Sequence, residues 1–431
     1  EPMQLTASAR GVDLSKLQPY LVMAKAISKD VQLGGITESD ITMSAQGGVY
    51  KITTDSTKIT NLLVKAPGKQ AFTQSQITLG LDAEVNPAAS VWTIKADITS
   101  PDIKIKANIK QDVENKNSNL QGNAQLDYDW KAISGMLSAF MPAGLTIEGK
   151  RKDTISFSSK FPAGDSNAML ANLDAQAKIG FDKASYMGLN IGATNVEAKA
   201  DKGLLTLTPF TTTVNNGQLN FGGAVDFKKK PAIFRTPGPM QIVKDVQIND
   251  VVANMLLAKV NPIFAGANKT SGLVNFDCDK MAVPVVGGKP EDADIAGTIS
   301  LTQVRMQTGL LAAILAATGS TGDLITLHPT PFTVSGGFVR YSNMEFDIGR
   351  MPIYFSGIVP VDPNRKIENF SVVMPISITG KVARAGGGTG GGTTVVIKGT
   401  PNKPELDIGK TVIQTGLQQG LEMLMESQKK K

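Results

Sequence analysis

The sequence predicts a mainly β protein: an elongated, curved and groove-like antiparallel sheet of repeated strand–short helix–strand units, with a few amphipathic helices and a C-terminal helix. Three observations predict this fold. Apolar and polar residues alternate along many short segments, turn residues separate these segments, and one strand–helix–glycine phrase recurs. The 431 residues exceed the usual size of a single core, so we expect several domains or an elongated array.

The alternation predicts strands with one dry face and one solvated face. Apolar residues occupy every second position in residues 79–85, 103–109, 219–227 and 344–348. Successive side chains of a strand point to opposite faces, so this pattern is typical of a half-buried sheet. Turn signals interrupt it about every ten residues, which predicts about 20–25 strands in antiparallel meanders. The clearest turn signals are Gly47-Gly48, Asn86-Pro87, Asn215-Asn216-Gly217 and Gly336-Gly337.

The strand–helix–glycine phrase occurs four times. In each copy a strand ends in Asp, Asn or Thr, a short helix follows, and the chain returns through glycine to another strand. The copies begin at Asp13, Asp129, Asn249-Asp250 and Thr308, and the first three return at Gly35, Gly149 and Gly272. Such repetition implies one supersecondary unit stacked on itself, with a core or groove continuous along the array.

The helices of the phrase are predicted to be capped and amphipathic. Asp129 and Asp250 are candidate N-caps, which accept a free backbone N–H and complement the helix dipole. Apolar stripes along residues 130–141 and 252–263 favour packing on the sheet. Insertion into a membrane interface is the alternative, but the polar faces are not rich in lysine.

We divide the chain into four segments. Residues 1–115 are predicted to form an N-terminal groove segment, and residues 116–235 a second β and helix repeat segment. Residues 236–384 form the third segment. Residues 385–431 hold a glycine-rich loop at Gly386–Gly392, a last strand and a terminal helix over residues 407–427.

The chain has few residues suited to catalysis or metal binding. His328, beside Pro329, is the only histidine and is expected in a loop, and one histidine does not form a common metal site. Cys278 is the only cysteine, which excludes an internal disulfide and a thiolate zinc site. We therefore predict a protein that is not an enzyme, with no catalytic residue, cofactor or metal.

The carboxylates give no stronger indication of a catalytic or metal-binding site. Asp277 and Asp279 alternate around Cys278 and are expected on one solvated strand face. A carboxylate pair for glycoside hydrolysis stays open, because any two carboxylates could converge in the fold. The aromatic platforms usual in such clefts are missing, since Trp92 and Trp130 are the only tryptophans and Trp130 is expected to anchor its helix.

The charge distribution and the hydropathy limit the classes of partner that this chain is expected to bind. The net charge of +6 is spread along the chain, without the cluster of basic and aromatic residues that nucleic acids require. No apolar run reaches the about 18–20 residues that span a bilayer. Because the sequence starts at Glu1 instead of Met, we expect that upstream residues were removed; whether they held a signal peptide or membrane anchor stays open, and an inner-membrane anchor is expected only from the family resemblance described below.

Several segments together resemble the AsmA-like family of bacterial envelope proteins, which includes TamB-type and other repeating-β-groove lipid-transfer proteins. The resemblance lies in residues 204–227, 246–277, 294–315, 332–361 and 396–404. It is strongest in the C-terminal half. It implies an elongated sheet with an apolar inner groove, a periplasmic location and a part in outer-membrane lipid or protein homeostasis.

The leading hypothesis is a non-enzymatic envelope protein that binds or conducts acyl chains of phospholipid or lipopolysaccharide along this groove. Envelope proteins are further expected partners. The alternatives are an outer-membrane protein assembly factor without lipid transport, and a secreted carbohydrate-binding β-solenoid. For each groove candidate an ordinary core position is an equally good interpretation. The candidate groove-lining residues are Ile103, Ile105, Leu219, Phe221, Phe346 and Ile348.

Overall fold

The computed structural model describes residues 3–23, 28–65, 71–137, 144–163, 165–318, 324–374 and 393–407. Across these ranges the chain is mainly β, with a long antiparallel sheet and few helices, so this part of the predicted fold class is confirmed, and the curved groove stays a prediction. The Gly386–Gly392 loop and the terminal helix predicted after Asp407 lie outside the described residues.

The strands follow one another along the chain, and few helices interrupt them. The first strands are β1 (Met3–Asp13), β2 (Gln32–Gln46), β3 (Val49–Lys65), β4 (Phe72–Asn86), β5 (Val91–Thr99), β6 (Ile103–Glu114), β7 (Asn117–Asp129), β8 (Thr146–Glu148), β9 (Lys150–Pro162), β10 (Leu173–Phe181), β11 (Lys183–Tyr186), β12 (Leu189–Ile191) and β13 (Thr194–Asp201). The later strands are β14 (Leu204–Val214), β15 (Gly217–Asp226), β16 (Ala232–Arg235), β17 (Met240–Gln247), β18 (Asn268–Val286), β19 (Asp294–Gln307), β20 (Ile325–Ser335), β21 (Phe338–Ile348), β22 (Met351–Pro360), β23 (Phe370–Met374), β24 (Thr393–Thr400) and β25 (Lys403–Asp407).

In the described residues, five helices connect particular strands. They are α1 (Leu14–Met23), α2 (Trp130–Leu137), α3 (Ser166–Ala171), α4 (residues 250–260) and α5 (Gly309–Thr318). Helix α4 is interrupted by a π-helical turn at Ala253–Leu257, and a 3₁₀ turn at Pro262–Phe264 follows it. A second 3₁₀ turn lies at Pro290–Asp292.

The chain forms two compact units. Unit 1 comprises Glu1–Tyr186, Gly192–Phe210 and Ala224–Lys228, and unit 2 comprises Met187–Ile191, Thr211–Gly223 and Lys229–Lys431. The division into four segments stays a prediction.

Unit 1 is an antiparallel meander. Strands β1 to β7 pair in chain order, and β9, β10 and β13 continue the ladder beyond β7. The short strands β8 and β11 pair with each other. Directly paired residues of adjacent strands therefore have their side chains on the same face of the sheet.

Unit 2 repeats the meander but encloses a dense core. Strands β17 to β25 pair in chain order, and the buried residues of α4, α5 and the Pro262–Phe264 turn belong to the same hydrophobic core as the sheet. Phe264 packs on Phe346, Phe346 on Phe355, and Phe355 on Phe370. Full burial stabilises each such large side chain by about 1.5–3 kcal/mol.

Every copy of the predicted phrase has a capped helix. The capping oxygens are Asp13 Oδ1 to the N–H of Ser15, Asp129 Oδ1 to Lys131, Asn249 Oδ1 to Val252 and Thr308 Oγ1 to Leu311, at 2.9, 2.9, 2.9 and 3.0 Å. The prediction for Asp129 is confirmed. The prediction for Asp250 is wrong: Asn249 caps α4, and Asp250 Oδ1 instead accepts the N–H of Thr270 at 2.6 Å.

The return glycines share one backbone conformation. The φ angles of Gly35, Gly149 and Gly272 are +124°, +131° and +135°. A Cβ on Gly272 would lie 2.8 Å from the Val304 Cα on the adjacent strand. Glycine adopts this conformation without a steric penalty, whereas other residues rarely do. The phrase is therefore a repeated structural unit as well as a repeated pattern of letters.

Candidate functional site

Hydrocarbon side chains lie in register on one face of six neighbouring strands of unit 1. One row crosses β5, β6, β7, β9, β10 and β13, and each residue in it is the direct cross-strand partner of the next. This row is Ile94, Ile109, Gly122, Phe157, Ala175 and Ala200. Direct partners on one sheet face have Cβ atoms about 4.5–5.5 Å apart, so the row is a continuous apolar strip.

Two further rows extend this strip. The second row is Ala96, Ala107, Ala124, Ile155, Ala177 and Ala198, and the third begins with Ile98, Ile105 and Leu126. We call these three rows the unit 1 apolar face. Alanine and glycine occupy much of its centre, which leaves room above the backbone between the larger isoleucine, leucine and phenylalanine side chains.

The opposite face of the same strands is charged. Lys106 pairs with Asp97 and Lys152 with Asp127, both at 3.5 Å, and on the preceding strands β3 and β4 Lys51 pairs with Asp82 at 3.3 Å. Exposed ion pairs of this kind contribute about 0–1 kcal/mol each to the stability of the fold. Their main significance is therefore that they show this face of the sheet to be solvated. The sheet of unit 1 therefore has one face suited to water and one suited to hydrocarbon.

The unit 1 apolar face borders a cavity and is only half-buried. The cavity has a volume of about 580 Å³, and its lining combines the six residues of the first row with eleven polar residues next to them in sequence, among them Lys95, Asn108 and Lys110. Its volume is within the about 300–1,000 Å³ usual for small-molecule sites. Among the described residues of unit 1, the buried hydrophobic side chains are Tyr128, Trp130, Phe161, Ala184 and Val225, none of which belongs to the three rows.

Gly122 and Phe157 form the floor of this cavity. The two residues are cross-strand partners on β7 and β9. A Cβ on Gly122 would lie 2.5 Å from Phe157 Cζ, so the phenyl ring lies over the glycine backbone. The absence of a side chain at position 122 is what allows the ring to lie across the strand.

Only two of the six predicted groove residues lie on the unit 1 apolar face or its strand. Ile105 is part of the third row, and Ile103 lies two residues before it on the same side of β6; both are half-buried. Phe346 and Ile348 are 0% exposed and belong to the core of unit 2, so this chain's own side chains enclose them. Their interpretation as groove-lining residues is corrected to core positions.

Leu219 and Phe221 have an intermediate environment on β15. Leu219 packs against the core of unit 2, and the Phe221 ring stacks on Phe234 with centroids 5.1 Å apart. Both are half-buried and are explained by contacts within unit 2.

Two hydrogen bonds from buried aromatic side chains connect neighbouring elements of unit 1. The Tyr128 hydroxyl donates to Asp153 Oδ2 at 2.6 Å, and the Trp130 indole N–H donates to the Gly180 carbonyl at 2.6 Å. Burial, and then the bond to Asp153, raises the pKa of Tyr128 well above its usual value. Trp130 is buried at the start of α2, in agreement with its expected role as the anchor of that helix.

His328 lies in strand β20, so the expectation that it is in a loop is wrong. Its Nε2 is 2.8 Å from Asp347 Oδ2 on β21, and a carboxylate oxygen of Glu345 is also close: one ligand atom from each residue lies within 4.8 Å of the other two. The hydrogen bond to Asp347 raises the pKa of His328. Burial and the nearby Glu345 raise the pKa of Tyr354, whose hydroxyl donates to Glu345 at 3.3 Å.

The strand around Cys278 has the predicted alternation. Cys278 is buried, Asp277 and Asp279 are exposed, and burial raises the pKa of the Cys278 thiol. A buried thiol with a raised pKa is a poor nucleophile, because the thiolate is the reactive form.

The part of the chain that the structure describes holds no helix with the length and apolarity needed to cross a membrane. The comparisons with known proteins were also negative: no family model matches the chain, and neither a curated protein nor a solved structure matches it.

Proposed function

We propose that this chain is a non-enzymatic protein that binds lipid acyl chains on the unit 1 apolar face. The observation that carries the proposal is the contrast between the two units. The apolar sheet face of unit 2 is filled by its own helices, whereas three rows of hydrocarbon side chains in unit 1 stay half-buried, and the first of these rows lines a cavity of about 580 Å³. An extended apolar surface of this kind marks a binding site.

The chemistry of the surface selects an acyl chain as occupant. The side chains of the first two rows offer dispersion contacts and no hydrogen-bonding group, and the backbone groups of these interior strands are used in the ladder. A polypeptide strand would bind at a sheet edge, where backbone groups are free. Hydrocarbon needs no polar partner and gains about 25 cal/mol per Å² of apolar surface buried.

We extend the proposal to the setting that the AsmA-like resemblance implies. The lipid is then a phospholipid or lipopolysaccharide, the location is the periplasm beside an inner-membrane anchor, and the role is the binding or conduction of acyl chains in outer-membrane lipid homeostasis. Assembly of outer-membrane proteins is the competing role, and the crosslinking experiment separates the two.

Crosslinking from neighbouring positions tests the occupant. A photoreactive phenylalanine analogue replaces Ile109 on the apolar face or, as the control, the exposed Gln125, which lies on the solvated face of the neighbouring strand β7 and outside the cavity lining. In the envelope of bacterial cells, lipid adducts from position 109 and none from position 125 are expected. Adducts to polypeptide from position 109 would favour the assembly role, and equal lipid adducts from both positions would overturn the proposal.

A charge on the apolar face tests affinity in the purified protein. Ile109→Asp is expected to weaken binding of a fluorescent fatty acid by about tenfold or more, which is about 1.4 kcal/mol of binding free energy. The reason is that the bound acyl chain would remove water from the new carboxylate. Gln125→Asp adds the same charge to the solvated face, outside the cavity lining, and is expected to bind normally. Circular dichroism checks that both variants fold. Equal affinities for the two folded variants would contradict the assigned face.

A further inference from the structure

We propose that His328, Glu345 and Asp347 form a binding site for a divalent transition-metal ion, with Zn²⁺ the best match. One ligand atom from each of the three side chains lies within 4.8 Å of the other two. This site is in unit 2 and is independent of the proposed acyl-chain binding.

The β20–β21 pair positions the three ligands. Glu345 and Asp347 are two residues apart on β21, so both side chains point to the same face. The register pairs Leu327 with Phe346, which places His328 beside the two carboxylates. Leu327 and Phe346 are buried on the other face and fix the backbone of both strands. The ligands therefore project from a rigid part of the sheet, as an organised metal site requires.

The ligand set favours zinc. One imidazole nitrogen and two carboxylate oxygens are ordinary Zn²⁺ ligands at about 2.0–2.2 Å, and water completes four-coordination. Tetrahedral ligands at that distance lie about 3.5 Å apart, which is compatible with the 4.8 Å limit within which the three ligand atoms lie. Ca²⁺ prefers about six to eight oxygen ligands, and Mg²⁺ requires a near-ideal octahedral set of oxygens, so neither matches this set.

Tyr354 supports one of the ligands. Its hydroxyl donates to Glu345 Oε1 at 3.3 Å from the adjacent strand β22, where Tyr354 is the direct partner of Glu345. A bond of this kind orients the carboxylate and leaves its second oxygen free for the ion.

The single histidine of this chain makes the test unambiguous. The 431-residue chain with isotope-labelled histidine, treated with a chelator and then dialysed, is titrated with Zn²⁺ while the imidazole resonances of His328 are followed by NMR. We expect a saturable shift that is complete at one equivalent. Glu345→Gln and Asp347→Asn are each expected to weaken binding by about tenfold or more, because changes to groups that merely orient a ligand already cost about that much.

The controls separate this site from other carboxylates. Glu405→Gln removes an exposed carboxylate elsewhere in unit 2 and is expected to leave the titration unchanged. His328→Asn, followed by calorimetry because it has no imidazole signal, is expected to abolish stoichiometric binding. The proposal is overturned if the His328 resonances do not shift, or if folded Glu345→Gln and Asp347→Asn variants bind Zn²⁺ as the unsubstituted chain does.

Discussion

Gly122 determines how closely Phe157 approaches the backbone of unit 1. A residue with a Cβ at position 122 would collide with the phenyl ring, since that Cβ would lie 2.5 Å from Phe157 Cζ. The ring would then have to move into the cavity that the first row lines. This one position therefore links the packing of the sheet to the space available for a ligand.

Gly122→Val is expected to destabilise unit 1 by about 1–3 kcal/mol, as overpacking of a fitted contact usually does, and to lower fatty-acid binding. Urea unfolding and a fluorescence titration measure the two effects. Gly238→Ala serves as control, because nothing lies within 4 Å of a Cβ at that position. Unchanged stability and binding in Gly122→Val would show that the ring does not rest on the glycine.

His328 and Asp347 give a second expectation at this scale. The pKa of His328 is raised by its bond to Asp347, so Asp347→Asn is expected to lower it, as measured by NMR titration of the single imidazole without metal. The stabilisation from this pair is fully present below the unfolded pKa of about 6.5 and is lost as the pH rises through the higher folded value. Glu405→Gln is expected to leave the His328 pKa unchanged, and an unshifted Asp347→Asn titration would contradict the assignment.

At the scale of elements, the recurring helix starts follow from local chemistry. A side-chain oxygen just before the helix satisfies a backbone N–H, and Asp13, Asp129, Asn249 and Thr308 all do so. The sequence therefore predicts where the helices begin. It does not distinguish Asn249 from Asp250, because both are good caps and the choice depends on Thr270, on the following strand.

Thr308→Ala tests the value of one cap. It removes the oxygen that accepts the Leu311 N–H at 3.0 Å and is expected to destabilise unit 2 by about 1 kcal/mol. Thr308→Ser keeps the hydroxyl and is the matched control, with a smaller expected loss. The midpoint of urea-induced unfolding measures both, and an equal loss in the two variants would assign the effect to the methyl group.

The surroundings of His328 show why the sequence does not predict its grouping with Glu345 and Asp347. Pro329 favours a loop at this point, but His328 and Pro329 are both part of strand β20. The spacing of Glu345 and Asp347 indicates one face of a strand, yet only the β20–β21 register places His328 beside them. Contacts of this kind join residues that are distant in sequence, so a local sequence pattern does not predict them.

At the scale of the whole molecule, the same alternation has two different outcomes. Ile103 and Ile105 occur in the same alternating apolar–polar pattern as Phe346 and Ile348. The side chains of the first pair are half-buried, whereas those of the second pair are 0% exposed. The difference arises from α4 and α5, whose buried residues share the core of unit 2. Period-two alternation predicts an apolar face, but what covers that face depends on tertiary packing.

Hydrogen exchange tests the functional difference between the units. Addition of a saturating fatty acid is expected to slow amide exchange in β5 to β13 and to leave β19 to β23 unchanged, since a ligand stabilises the state that binds it. At a concentration 100 times the Kd the stabilisation is about 2.7 kcal/mol. Mass spectrometry of the exchanged peptides measures this, and Ile109→Asp is the control. Slower exchange in unit 2 alone would place the ligand elsewhere.

The chain-order pairing of the strands has a consequence for biosynthesis. In β1 to β7 and again in β17 to β25, each strand joins the one that was made immediately before it. Contacts close in sequence cost little loop-closure entropy and form early. Within these two runs, a nascent chain can therefore add hairpins one at a time as it emerges, and no strand has to wait for a distant partner to be synthesised.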